Sequence, residues 1–174
     1  FSSNNLIEHD FMDVVAINKN QTATYVASWH KGLAKIIGTE LAMIYNENNS
    51  SLQKRAIYND WINVGDIQFD SEGNLWCTNS QTYQPISVKY VNEEWDSFSL
   101  GSGVTENEKI SKLLIDKNDQ KWIQLKNNGV VVFDEKREGI KTRKLTSSES
   151  NGNLSSNSVF SFVEDLDGEI WLGT

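Results

Sequence analysis

The sequence predicts an all-β fold, a partial β-propeller of about three and a half four-stranded antiparallel blades. A motif with an Asp six residues before a Trp occurs three times, and the Trp residues are 46 and 49 residues apart. Short apolar runs separated by Asn-, Ser- and Gly-rich turns fill these intervals, and no apolar pattern keeps helical spacing for three turns. Four strands in a period of this length are typical of propeller blades.

The boundaries of the predicted blades follow from these runs. We expect blades over residues 11–45, 64–100 and 110–145, and a half-blade over 158–174. The first blade is a degenerate copy, in which Tyr25 takes the place of the repeated Trp. A blade is stable only when it is stacked on its neighbours, and unpaired strand edges recruit partners. We therefore expect part of a larger propeller, and association of two copies through their open blade edges.

The repeated motif is interpreted as scaffold. Its residues are Asp70, Gly73 and Trp76 in one copy, Asp116 and Trp122 in the next, and Asp165, Gly168 and Trp171 in the last. The carboxylate can accept hydrogen bonds from amides of the turn, the Gly supplies a positive φ, and the Trp presents a flat surface to the adjacent blade. Two departures stand out: Asp119 replaces the turn Gly, and Tyr83 is aligned with Gly32 and Gly129.

Two functional interpretations of the motif fit less well. A calcium loop needs alternating oxygen ligands closed by a bidentate Glu, and DLDGE or DSEGN supplies only its beginning. A sialidase-type Asp box has its Asp five residues before the Trp, whereas the spacing here is six. The motif therefore predicts no metal site.

Composition excludes several classes of protein. The 24 acidic residues outnumber the 16 basic ones, the net charge is −8, and the basic residues are scattered, which argues against nucleic-acid binding. The single cysteine, Cys77, allows no internal disulfide and is predicted to be buried on the strand face opposite Trp76. No apolar run approaches 18 residues, so direct membrane insertion is not expected. The first residues are not a signal peptide, and a targeting sequence would lie outside this sequence.

No catalytic residue or cofactor is predicted. His9 and His30 are the only histidines, and His30, before a turn Gly, has no Cys or carboxylate spaced from it to build a metal site. The pair Glu93 and Glu94 lies in a polar turn, where solvated charge is normal, although spacing alone does not exclude a glycosidase pair. Aromatic residues outside the repeated position are better candidates, because flat rings stack on sugars or on a partner's side chains. The candidate ligand-binding residues are Trp29, Trp61, Tyr83 and Trp95.

Parts of the sequence resemble two known groups of proteins. The last copy, DLDGEIWLGT, resembles the two-component regulator propeller repeat of periplasmic sensor domains. Across nearly the whole chain, several segments in order resemble the propeller region of PorZ-like proteins of the type IX secretion system: VVAINKNQTATYVASWHKGLAKI, YNENNSSLQ, FDSEGNLWCTN, LLIDKNDQKWIQL, GVVVFD and LTSSESNGNLSSNSVFSFVEDLDGEIWLGT.

The second resemblance implies a non-enzymatic interaction module of an exported protein at the outer face of the outer membrane. Its partners would be other secretion-system proteins, with sortase-like machinery among them, or a surface polysaccharide. The first resemblance implies an alternative, the periplasmic ligand-sensing propeller of a hybrid two-component histidine kinase. A glycan-active propeller enzyme is the third and most remote hypothesis.

Overall fold

The structure is a computed structural model that describes residues 14–19, 22–136 and 141–174. These residues form three four-stranded antiparallel sheets and one two-stranded sheet, in which each strand pairs with its neighbour in sequence. The first sheet contains β1 (Val14–Lys19), β2 (Thr24–Ser28), β3 (Gly32–Ile37) and β4 (Glu40–Tyr45). The second contains β5 (Asn63–Phe69), β6 (Leu75–Ser80), β7 (Ile86–Lys89) and β8 (Trp95–Phe98).

The third sheet contains β9 (Ile110–Ile115), β10 (Lys121–Leu125), β11 (Val130–Asp134) and β12 (Lys141–Leu145). The fourth contains β13 (Ser161–Glu164) and β14 (Ile170–Gly173), and a short 3₁₀ turn, Glu149–Asn151, precedes it. The predicted fold class is confirmed: the chain is all-β, with about three and a half blades. The beginning of the first predicted blade, at 11–13, and His9 lie outside the described residues.

The antiparallel path of each sheet sorts its loops onto two faces of the molecule. The turns between the second and third strands lie at the same end as the segments that cross from one sheet to the next. Backbone hydrogen bonds connect these loops: Gly32 N–H donates to Ile62 O over 3.1 Å, and Gly129 N–H donates to Asn157 O over 2.9 Å. We call this end the crossover face. The opposite end carries the other hairpin turns, including the repeated Asp-Gly turns, and is called the hairpin face.

The turn glycines of the motif have the conformation that the sequence predicts. Gly73 and Gly168 have φ values of 84° and 85°. Asp119, which replaces the glycine in the third sheet, has a φ of 61°. Asp is among the residues that tolerate this left-handed region.

The predicted alignment of Tyr83 with Gly32 and Gly129 is wrong. Gly32 pairs with Ser28, and Gly129 O accepts from Leu125 N, whereas in the second sheet Pro85 O accepts from Asn79 N. Pro85 therefore occupies the equivalent ladder position. Five residues lie between the paired positions in the second sheet, against three in the other two. The longer turn places its left-handed residue at Gln81, with a φ of 63°, so no glycine is needed where strand β7 begins.

The sheets pack through two apolar layers, one on each side of the second sheet. Cys77 lies in the layer against the first sheet, together with Leu33, Ile67 and Leu75. Trp76 lies in the layer against the third sheet, with Ile123 and Phe133 among its members. Neighbouring residues of a strand point to opposite faces, so this arrangement confirms the prediction for Cys77. Its thiol is fully buried, and burial raises its pKa, which makes it an inert core residue.

The hairpin face is tied together by polar contacts between turns of neighbouring sheets. Ser71 N–H donates to Asp119 Oδ1 over 2.9 Å, and Lys136 Nζ lies 2.8 Å from both Asp119 Oδ2 and Glu72 Oε1. Burial alone would raise the pKa of Asp119, but hydrogen bonds from Lys136 and Ser71 outweigh that effect and hold the pKa at about 2. This carboxylate therefore links the second and third sheets in its charged form.

Asp119 is expected to make the stability of the protein depend on pH in the acid range. A carboxyl with a depressed folded-state pKa contributes stability above its unfolded value, near 4, and that contribution is lost as pH falls toward about 2. Because Lys136 is solvent-exposed, we expect Asp119 to contribute only about 1 kcal/mol to the free energy of unfolding. Urea unfolding between pH 5 and pH 2 measures it. The variant Asp119→Asn should flatten this part of the curve, and an unchanged pH dependence would contradict the assignment.

Candidate functional site on the crossover face

The central feature of the crossover face is a cleft of about 440 Å³. It lies among the first and third sheets and the segment that leads into the fourth. Trp29, in the turn after β2, forms one part of its lining, and Phe160, just before β13, forms another. The remaining lining residues are Lys109, Ile110, Ser111, Gln124, Lys126, Asn127, Ser158 and Val159.

Polar side chains hold the floor of this cleft in place. The Gln124 amide donates to Val159 O and accepts from the Ser111 hydroxyl, over 2.7 Å in the second case. Ser158 Oγ donates to Asn127 Oδ1 over 3.1 Å. The cleft thus combines two aromatic rings with amides, hydroxyls and the ammonium groups of Lys109 and Lys126. Such a combination of apolar walls and a few placed polar groups is typical of ligand sites.

A second feature is an aromatic and cationic cluster that adjoins the Trp29 turn. The ring of His30, next to Trp29 in sequence, contacts that of Trp61 at a tilt of 50°, with ring centroids 4.2 Å apart. The Arg55 guanidinium lies 4.6 Å from the ring centroids of both Trp61 and Tyr58. Asp60 binds the same guanidinium through both carboxylate oxygens. The hydrogen bond from Arg55 is the main cause that lowers the pKa of Asp60, so the pair is charged and the cluster is pre-organised.

Tyr83 lies beside a third feature, a polar groove of about 580 Å³ on the outer part of this face. Its side chain is 67% exposed. The groove contains an amide network in which Gln53 Nε2 donates to Gln84 Oε1 over 2.8 Å, and Ser97 Oγ donates to the same oxygen over 2.9 Å. An exposed ring next to fixed amides offers both stacking and hydrogen bonding to a polar ligand.

Of the four aromatic candidates, three lie on the crossover face and one does not. Trp29 lines the cleft, Trp61 is 45% exposed in the cationic cluster, and Tyr83 borders the groove. Trp95 instead begins strand β8 and packs between the first and second sheets, with its ring 5.1 Å from that of Tyr45. Lys109, Gln124 and Phe160 were not among the sequence candidates. Lys109 directly precedes a predicted strand, and Gln124 and Phe160 lie near the ends of predicted strands, which is their only sequence signal.

The repeated Asp–Trp motif is not part of this face. In each copy the indole N–H of the Trp donates to Oδ2 of the Asp, over 2.9, 2.9 and 2.7 Å: Trp76 to Asp70, Trp122 to Asp116, and Trp171 to Asp165. The other carboxylate oxygen, Oδ1, accepts from two backbone amides of the turn. In the first copy, Glu72 N and Asn74 N donate to Asp70 Oδ1. The carboxylate is therefore occupied by the hairpin itself.

The six-residue spacing follows from the register of the hairpin. Trp76 pairs with Gln68, which lies two residues before Asp70, so Trp76 and Asp70 are on the same face of the sheet. Trp122 and Trp171 pair in the same way with Leu114 and Val163. The motif residues stabilise the hairpin itself. The sequence did not predict the hydrogen bond between the Asp and the Trp.

The described residues contain no group of three or more His, Cys, Asp and Glu side chains that could hold a metal ion. Glu93 and Glu94 have different partners. Glu93 contacts Lys35 and Lys89, while Glu94 accepts from the Asn92 amide over 2.8 Å. No helix in the described part of the chain is long and apolar enough to cross a membrane.

Comparisons with known proteins agree with this architecture. Residues 153–174 match the family described as "Two component regulator propeller". Among solved structures, PorZ, a surface component of the type IX secretion system of Porphyromonas gingivalis, is similar to 95% of this chain, with a TM-score of 0.78 and 20% identity. The extracellular domain of a putative hybrid two component system from B. thetaiotaomicron is similar to 92% of the chain, with a TM-score of 0.66 and 24% identity.

A third similar structure is virginiamycin B lyase from Staphylococcus aureus, with a TM-score of 0.68 and 12% identity over 97% of this chain and 50% of the lyase. No curated protein matches the sequence. The chain spans 24% of the PorZ structure and 19% of the sensor domain.

The sheets and the repeated Asp–Trp hairpins define a class, the β-propellers built from four-stranded antiparallel blades. Within that class the fold of the chain is similar to that of the PorZ propeller, and residues 153–174 match the two component regulator propeller repeat.

Proposed function

We propose that this chain is a non-enzymatic interaction module of a PorZ-like cell-surface protein of type IX secretion, and that it binds a partner protein or a surface polysaccharide through its crossover face. The observation that carries the proposal is the collection of Trp29, Trp61 and Tyr83 on one face, around a cleft and a groove. Loops that a rigid scaffold holds at one end are where binding residues concentrate. The similarity to PorZ supports the cell-surface setting.

A second candidate function has its own support. The match of residues 153–174 to the two component regulator propeller, and the similarity to an extracellular domain of a hybrid two component system, favour a ligand-sensing propeller in the periplasm. The coding sequence on either side of this chain separates the two candidates. A membrane span followed by a kinase would overturn the secretion proposal, and a C-terminal sorting-like β-domain would overturn the sensor proposal.

A non-enzymatic role agrees with the chemistry of the described face. The cleft is lined by Lys109, Lys126, amides and hydroxyls, without an Asp or Glu that could act as an acid or a base. Elsewhere, the carboxylate of Glu93 is held by two lysines. A screen for glycan hydrolysis that detects activity, lost on replacement of Glu93 or Glu94, would overturn this part of the proposal.

The variant Trp29→Ala is expected to weaken partner binding by about thirty-fold, because loss of a buried aromatic anchor typically removes about 2 kcal/mol of binding free energy. The probes are surface polysaccharide extracted from the source cells and a detergent extract of their envelope proteins, each applied to immobilised chain. Trp171→Ala is the matched control, since Trp171 is exposed on β14 and does not line the cleft. Retention that is unchanged by Trp29→Ala, or no retention of either probe, would contradict the proposal.

A further inference from the structure

A separate polar pocket lies between the first and second sheets at the hairpin face. Its volume is about 220 Å³. The lining residues are Thr22, Tyr25, Lys35, Phe69, Gly73, Leu75, Lys89, Tyr90, Val91 and Glu93. Trp29, Trp61 and Tyr83 are not among them, so the pocket is independent of the crossover face.

Two ammonium groups converge in this pocket on a single carboxylate oxygen. Lys89 Nζ lies 2.8 Å from Glu93 Oε1, and Lys35 Nζ lies 3.4 Å from the same atom. The Lys89 side chain is only 5% exposed. A buried ammonium group is unfavourable without an anion beside it, so the site requires one negative charge. The two lysines and one carboxylate together leave the pocket with a net positive charge.

The Tyr45 hydroxyl and the Tyr25 ring complete the surroundings of this ion cluster. Tyr45 Oη donates to Glu93 Oε2 over 3.4 Å, and the Lys35 ammonium lies 5.9 Å from the centroid of the Tyr25 ring. Burial is the main cause that raises the pKa of both tyrosines. Both hydroxyls therefore stay protonated at neutral pH, and that of Tyr45 can donate to an anion held by the lysines.

Glu93 reaches the pocket from an uncommon backbone conformation. It lies in the exposed turn between β7 and β8 with a φ of 71°, a left-handed conformation that is uncommon for a residue other than Gly, Asn or Asp. Its side chain is 60% exposed, although its carboxylate reaches the two lysines. The hydrogen bond from Lys89 is the main cause that lowers the pKa of Glu93, so the group in the pocket is a charged carboxylate.

We propose that Lys35, Lys89 and the neighbouring tyrosines form a binding site for the carboxylate group of a small ligand, and that Glu93 is a tethered internal occupant that competes for it. The assignment to a carboxylate follows from the group that the pocket already holds. A bound ligand carboxylate would take the place of Glu93 beside Lys89 and release the Glu93 side chain into solvent. The binding step is an exchange of one anion for another and involves no covalent change.

Removing the internal occupant should strengthen binding. The experiment follows the backbone amide signals of Gly73, Leu75 and Val91 by NMR while sodium acetate is titrated against sodium chloride at constant ionic strength. We expect weak acetate binding to the unaltered chain and about tenfold tighter binding to Glu93→Gln, because a tethered group competes at a high effective concentration. Glu94→Gln is the matched control, since it removes the same charge from the same turn without touching either lysine.

Two further variants keep the test decisive. Glu93→Gly removes the occupant and suits the positive φ of the turn, so it should bind acetate at least as tightly as Glu93→Gln. Adding Lys35→Met to Glu93→Gln should abolish the increase in affinity for acetate. The proposal would be overturned if Glu93→Gln and Glu94→Gln raised the affinity for acetate equally, or if the increase persisted in the variant that also carries Lys35→Met. It would also be overturned if acetate shifted none of the amide signals of the pocket. Tighter binding of inorganic phosphate than of acetate would overturn the assignment to a carboxylate.

Discussion

The variant Trp76→Ala is expected to lower the free energy of unfolding by about 3–5 kcal/mol, the usual range for a large aromatic residue truncated in a core. Trp76 is 1% exposed and fills the layer between the second and third sheets. Its ring centroid is 6.0 Å from those of Phe98 and Phe133, and the Lys121 ammonium lies 4.0 Å from it. Truncation would open a cavity and leave the fully buried Lys121 without its aromatic neighbour.

Chemical denaturation followed by circular dichroism measures this effect, and the repeat itself supplies the control. Trp171 occupies the equivalent position in the fourth sheet but is 60% exposed. We expect Trp171→Ala to change the free energy of unfolding by less than about 1 kcal/mol. Equal losses for the two variants would show that the motif stabilises each hairpin alone, and would contradict the packing role given to Trp76.

The variant Asp70→Ala is expected to lower the free energy of unfolding by about 2–4 kcal/mol, because it leaves several buried donors without an acceptor. Asp70 accepts from the Trp76 indole N–H and from the Asn74 side-chain amide, each over 2.9 Å. It also accepts from the Asn74 backbone amide over 2.8 Å. All three donors belong to buried residues.

Asp165 is the control for this second variant. It accepts from Asp167 N, Glu169 N and Trp171 Nε1, the equivalents of all the bonds to Asp70 except the one from the Asn74 side chain, but the hairpin is exposed. Water can replace the lost acceptor there, so Asp165→Ala should have a much smaller effect on stability. The conservative change Asp70→Asn should recover part of the loss, since its amide oxygen still accepts one bond. Failure of Asp70→Ala to destabilise the chain more than Asp165→Ala would contradict the account of the motif.

Much of the fold could be predicted from the sequence because its signals are local and repeated. A period of 46 to 49 residues between Trp76, Trp122 and Trp171 identifies the blades. Alternation along a strand places Cys77 opposite Trp76. The positive φ of Gly73 follows from the turn that needs it. Each of these inferences depends on neighbours within one hairpin.

The predictions that failed or were incomplete depend on contacts between distant residues. Tyr83 was aligned by its distance along the chain, and the two extra residues in that turn moved the equivalent position to Pro85. Trp95 was grouped with the candidate binding residues, but its ring packs on Tyr45 of the preceding sheet, fifty residues earlier in the sequence. The cleft combines Trp29 with Phe160, and no local pattern indicates that these two residues share one site.

The sorting of loops onto two faces connects these observations. In the repeated Asp–Trp hairpins the carboxylates are already hydrogen-bonded within the hairpin itself. The candidate binding residues Trp29, Trp61 and Tyr83 lie on the opposite, crossover face. The most regular part of the sequence is therefore structural, whereas the binding role is proposed for the irregular loops.

Hydrogen–deuterium exchange of the chain, alone and with the polysaccharide or protein retained in the binding assay, tests this division most directly. We predict slower exchange on binding in the crossover-face segments at 29–31, 46–62, 81–85 and 146–160, with little change in the motif hairpins. Protection confined to the hairpins at 70–74, 116–120 and 165–168 would contradict the proposal that the crossover face binds the partner.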